Sequence, residues 1–189
     1  PPERIVSWLT TVSDTSIRAL DLQLLADLLL VVTDSAQRQE LLQLVVSQVD
    51  DVVALGDFDA AHRLVESIAA LAAKPGPPDA AAQVARAVDQ IVDGSFMSQT
   101  AIHLNSVHDD EFEHVKKLCR VIGPALVPKL ADALSSETRN RARQRLTDLL
   151  IDFGAHGRDS VDKLRQSSNP NVRRTAVQLL RAFGGPEAL

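Results

Sequence analysis

Asn169-Pro170-Asn171-Val172-Arg173-Arg174-Thr175-Ala176-Val177-Gln178-Leu179-Leu180-Arg181-Ala182-Phe183-Gly184 places Ala176, Leu179, Leu180 and Phe183 at spacing i, i+3, i+4, i+7. That spacing lines one face of an α-helix. The closing Gly184 stands where a helix commonly ends in a left-handed cap. The same figure occurs twice upstream. Val115, Leu118, Cys119 and Ile122 precede Gly123, and Leu146, Leu149, Leu150 and Phe153 precede Gly154. The repeat length is 30–31 residues (115 to 146, then 146 to 176).

The segments between the quartets also correspond. Gly123-Pro124-Ala125-Leu126-Val127-Pro128-Lys129-Leu130 aligns with Gly157-Arg158-Asp159-Ser160-Val161-Asp162-Lys163-Leu164, and Ser135-Ser136 with Ser167-Ser168. Each unit therefore reads as a first helix, a polar turn and a second helix. One such pair has two apolar stripes and cannot bury both alone, so the units are expected to stack.

Outward from this core, cap and turn residues divide the chain into further helices. Residues 2–11 form a short one containing Trp8, and Asp14 or Thr15 opens a second. Asp34-Ser35 caps a third and Asp57 a fourth, after Gly56. Lys74-Pro75-Gly76-Pro77-Pro78 is the clearest break, and Gly94-Ser95 starts another helix. No useful stretch alternates with period two, so no strand is predicted. The expected fold is all-α with about 11 helices. Residues 1–74 are irregular helical hairpins and residues 78–189 are regular repeats, packed as one continuous domain. Gly185-Pro186-Glu187-Ala188-Leu189 resembles the start of a further first helix. The missing initial Met suggests a piece of a longer protein.

Composition agrees. Aromatic residues make up 3% and Tyr is absent, so the apolar content is mainly Leu, Val and Ala. Leu and Ala favour helix, whereas a β-sandwich would want aromatic and β-branched residues. The net charge is −5, which disfavours a general polyanion binder. The charge is uneven: residues 1–135 hold 10 basic and 19 acidic residues, residues 136–189 hold 10 and 6. The longest apolar run, Leu28–Val32, is too short to span a bilayer. The single Cys119 excludes an internal disulfide and suits a reducing, cytoplasmic setting.

Residues 169–184 resemble the second-helix signature of bacterial HEAT repeats, including the HEAT-like repeats of phycobilin lyases. The resemblance covers about 109–189, but residues 123–154 depart from it, since Glu137–Asn140 replaces the Asn-Pro turn and the turn is longer. Ala54-Leu55-Gly56-Asp57-Phe58-Asp59-Ala60-Ala61 is similar to one helix junction of tetratricopeptide repeats. The HEAT resemblance implies an α-solenoid, a right-handed superhelical stack of antiparallel helix pairs. It also implies a non-catalytic scaffold or regulatory domain that binds a protein, with no cofactor and no metal.

Several residues invite a site. Arg143 aligns with Arg173, and neighbouring helices pack roughly 8–10 Å apart, so the two are expected to form a ladder. Arg143, Arg173, Arg174 and Gln178 are the expected partner-binding face. Arg139, Arg141 and Arg145 crowd the same helix start, with the alternative that these arginines pair with neighbouring acids and cover apolar surface. His103, His108, Asp109, Asp110, Glu111, Glu113 and His114 are the densest potential ligands, but only Glu111 and His114 stand at a helical ligand spacing. Cys119 occupies a quartet position and reads as a buried small hydrophobe. Trp8 is read as core or as an anchor for a partner. Two other classes stay open: a nucleic-acid binder using the basic carboxyl-terminal third, and a pigment-lyase-like or other enzyme subunit. The first needs a continuous basic stripe, the second a deep pocket with convergent polar groups.

Overall fold

The computed structural model describes the backbone of residues 2–74 and 77–184. The side chains of residues 2–16, 78 and 155 lie outside the description, and with them Trp8. The expected further repeat start at 185–189 also lies outside it. Ten α-helices follow in order: α1 Pro2–Val31, α2 Ser35–Ala54, α3 Phe58–Ala73, α4 Pro78–Asp93, α5 Phe96–His103, α6 Asp109–Ile122, α7 Val127–Ser136, α8 Asn140–Phe153, α9 Arg158–Leu164 and α10 Pro170–Ala182. Two 3-10 turns, Pro124–Leu126 and Gly154–Gly157, lead into α7 and α9. No strand occurs among the described residues. No helix among them is long and apolar enough to cross a membrane.

Among the described residues the number of helices is ten rather than about 11, because Asp14 and Thr15 do not open a new one. The chain runs as a single helix of 30 residues from Pro2 to Val31. It contains no Gly or Pro after its first position. Polar residues inside a helix cost only some tenths of a kcal/mol each, too little to interrupt one. Asp34 and Asp57 cap as expected, whereas Ser95 starts α5 without a side-chain cap bond. Asp34 accepts from the Gln37 N–H at 2.9 Å, and Asp57 accepts from the Ala60 N–H at 3.0 Å. Asn169 accepts from the Asn171 N–H at 3.0 Å, with Pro170 in the first turn of α10. Each cap satisfies a donor that the helix start leaves free.

Packing follows the apolar stripes. α3 lies against α6, α6 against α8, and α8 against α10. On the other side of the seam α2 lies against α5, α5 against α7, and α7 against α9. Between the two sets the quartets are buried: Val115, Leu118, Cys119 and Ile122 on α6, Leu146, Leu149 and Leu150 on α8, Ala176 and Leu179 on α10. Phe153, Leu180 and Phe183 are half-buried against the same cluster. Leu126, Leu130 and Leu134 enter from the opposite side and are fully buried.

Across the proline-rich break, α2 is tied to α4 by a buried guanidinium. Arg38 donates from Nε to Gln83 Oε1 at 2.7 Å and from Nη2 to Asp79 Oδ2 at 3.0 Å. Ser35 also bonds the Asp79 carboxylate, and this, with Arg38, holds that carboxyl below its ordinary range.

Gly123 and Gly154 end α6 and α8 with positive φ, as expected, but not in the left-handed helical region. Their angles are φ 89°, ψ −170° and φ 52°, ψ −130°. The extended ψ turns the chain sharply into the next 3-10 turn. That region is nearly restricted to glycine. A Cβ on Gly123 would meet nothing within 4 Å, so its cost is backbone strain alone. Gly123→Ala should therefore destabilise by about 1–3 kcal/mol in urea unfolding despite the open space. Leu150→Ala should cost about 2–5 kcal/mol in the same assay through lost burial and a cavity.

Candidate functional site

The arginines that crowd the start of α8 do different work. Arg145 is buried, although its helix angle only flanks the core. Its Nη1 donates to the carbonyls of Leu104 at 3.0 Å and Val107 at 2.7 Å. Its Nη2 reaches Asp109 Oδ1 at 2.7 Å, and its guanidinium lies 4.9 Å from the centre of the Phe112 ring. Arg141, exposed, meets the same Asp109 oxygen at 3.4 Å. The two arginines hold the Asp109 carboxyl below its ordinary value, Arg145 chiefly. Together they fasten the loop between α5 and α6 to α8.

Arg139 does the same one turn earlier. Its Nη2 donates to the Ala101 carbonyl at 2.8 Å, at the carboxyl end of α5. A cation there satisfies free carbonyls and matches the helix dipole. Its partner is Glu137, whose side chain is nearly buried. Glu137 accepts from Arg139 Nη2 at 2.7 Å and from the N–H groups of Thr138 and Arg139, both at 2.8 Å. Glu137 thus braces the turn between α7 and α8, where the Asn-Pro turn is missing, and among the described residues no side chain caps the first turn of α8. The bonds to Glu137, that of the Arg139 side chain first, draw its pKa down to about 2.

The four expected face residues separate. Arg143 is half-buried on α8, and among the described residues no side-chain bond from it is found. Arg173 is exposed, but its Nη1 donates to the carbonyls of Ser167 and Ser168 at 2.8 and 2.9 Å. It closes the turn before its own helix. Arg174 and Gln178 are exposed on the outer side of α10, with Arg181 and Val177 beside them. The equivalent positions of Arg143 and Arg173 lie on adjacent helices, with no bond linking them.

The possible metal ligands are likewise engaged apart. His103 Nε2 lies 3.1 Å from the Ala54 carbonyl and its ring meets Phe58 edge-on. Glu111 accepts from the His108 N–H at 2.8 Å, Glu113 from Lys116 at 2.7 Å, and His114 Nδ1 lies 3.3 Å from Asp59. No group of three or more potential ligands converges among the described residues. Cys119 is buried, and burial pushes its thiol up to about 12. A thiol so held is not a nucleophile at neutral pH.

Two open grooves adjoin along α5, α7 and α9. One, about 420 Å³, lies over Met97, Ala101 and Ala133 with Lys129 and Glu137 at its edge. The other, about 510 Å³, lies over Ala131 and Leu164 with Ser135, Lys163 and Ser167. Asp132 lines both. A third, between α6 and α8, mixes Glu113, Lys116, Arg141 and Asp148. Burial raises the Asp148 carboxyl, against the opposing pull of Lys116.

No protein-family model, curated protein or solved structure matches the chain.

Arg145→Ala leaves two buried carbonyls without their donor and should cost about 3 kcal/mol in chemical unfolding. Glu137→Gln tests the bonds that brace the turn between α7 and α8. A depressed folded pKa lends stability that is complete above the ordinary value, near 4.5, and lost as pH falls towards about 2. The variant should therefore melt lower than the parent at pH 7, and the difference should shrink as the pH is brought from 4.5 to 2.

Proposed function

We propose that the chain is a non-catalytic scaffold built as a HEAT-like α-solenoid, and that it holds a protein partner. The solenoid reading is supported by the order of helix contacts, in which each repeat unit meets the one before and the one after. It is also supported by the glycine that turns the chain at the same place in successive units. The superhelix is right-handed in this reading, as the resemblance implies.

One observation carries the choice of partner. On the outer side of α10, Val177 is exposed among Arg173, Arg174, Gln178 and Arg181. Arg173, Arg174 and Arg181, at four and three residues before Val177 and four after it, are its helix-surface neighbours. An apolar contact ringed by guanidiniums suits an acidic protein segment with an apolar side chain. Arginine is enriched at such contacts. A phosphate backbone would have no use for the valine. The acidic balance of residues 1–135 opposes a long basic stripe.

The test avoids Arg173, because its guanidinium also closes a turn. The probe is a fluorescent synthetic peptide of glutamates and leucines. Arg174→Glu with Arg181→Glu should weaken its capture at least about tenfold while circular dichroism and melting stay unchanged. Undiminished capture would remove this face from consideration. Tighter binding of a duplex DNA probe, steeply weakened by salt, would favour the nucleic-acid reading instead.

A further inference from the structure

α1 is apolar on two sides. Leu22, Leu25, Ala26 and Leu29 are buried, and the helix packs on α2 and α3. On the opposite side Ile17, Leu20, Leu24, Leu28 and Val31 are exposed at 54%, 70%, 58%, 43% and 70%. Steps of three and four residues keep these five on one stripe of the helix. At 1.5 Å per residue the stripe runs for about 21 Å. Single exposed leucines are ordinary, but a contiguous apolar stripe marks an interaction surface.

The stripe is palindromic. From Leu24 it steps four residues and then three towards the amino end, to Leu20 and Ile17. It steps four and then three towards the carboxyl end, to Leu28 and Val31. A two-fold axis through Leu24 therefore sets Leu20 against Leu28 and Ile17 against Val31 of an antiparallel copy. This is the self-complementarity that an isologous interface needs. We propose that the stripe is the interface of a homodimer, formed by α1 crossing α1 of a second copy at Leu24.

Charge and area are compatible with this. Asp21 and Asp27 flank the stripe on opposite edges, three residues either side of Leu24. In the antiparallel pair the two Asp27 residues share an edge but lie about 9 Å apart along the axis. Exposed carboxylates at that separation are largely screened at physiological salt. The five side chains present roughly 500 Å² of apolar surface, so two copies bury roughly 1,000 Å² before any polar rim is added, near the lower limit of specific interfaces. This surface is separate from the α10 face and does not depend on it.

The full chain should sediment with about twice its 20.5 kDa mass at micromolar concentration, and Leu24→Glu should sediment as a single chain with unchanged helicity. A second arm does not depend on that variant folding. Leu24→Cys should cross-link to itself under mild oxidation, because it lies on the axis, while the buried Cys119 stays reduced. Ile17→Cys alone should not cross-link, but should do so when mixed with Val31→Cys. A single-chain mass at every concentration overturns the proposal. So does a dimer that survives in Leu24→Glu, or self-linking by Ile17→Cys as efficient as by Leu24→Cys.

Discussion

A helix pair with an apolar stripe on each helix hides part of that surface within the pair and must give the rest to a neighbour. This constraint organises the chain. Leu118, Leu149 and Leu179 are buried at corresponding positions of α6, α8 and α10, and none of them is covered by its own helix. The buried residues from Leu22 on α1 to Leu179 on α10 form one contiguous apolar cluster.

Polar side chains register the units on this seam. Arg145 and Arg139 reach back from the start of α8 to carbonyls at the end of α5 and in the loop beyond. Arg120 reaches forward from α6 to Asp152 on α8 at 2.7 Å. Arg38 does a similar task between α2 and α4. A buried arginine gives little net stability from its charge, but its removal leaves carbonyls without donors. Such groups penalise slipped packings, in which the apolar stripes would still find partners. Two of the four arginines at the start of α8, Arg139 and Arg145, are engaged in this way, and Arg141 pairs with Asp109, which leaves the outer side of α10 as the more open basic surface.

The quartets were legible because spacing i, i+3, i+4, i+7 has one physical reading, and the caps Asp34 and Asp57 were legible because their chemistry is local. The single long α1 was not. Asp14 and Thr15 are good caps, and only the absence of a Gly or Pro spoke for continuity. Arg145 and Arg143 look alike on a helical wheel, which gives an angle but not the neighbour found there. Glu137 and its hook to Arg139 were not legible, because the hold of Arg139 on the end of α5 is a tertiary contact. The exposed stripe of α1 was hidden by its own helix: with Leu22, Leu25 and Leu29 equally apolar, the segment reads as core all round. The partner face remained an inference from alignment, because exposure and the turn-closing bond of Arg173 are tertiary facts.

Native-state hydrogen exchange on the chain carrying Leu118→Ala tests the shared seam most directly. If neighbouring units support one another, amide protection should fall most in α6, by a lesser amount in α3 and α8, and least in α10. Loss confined to α6, or equal loss in every helix from α2 to α10, would contradict the account.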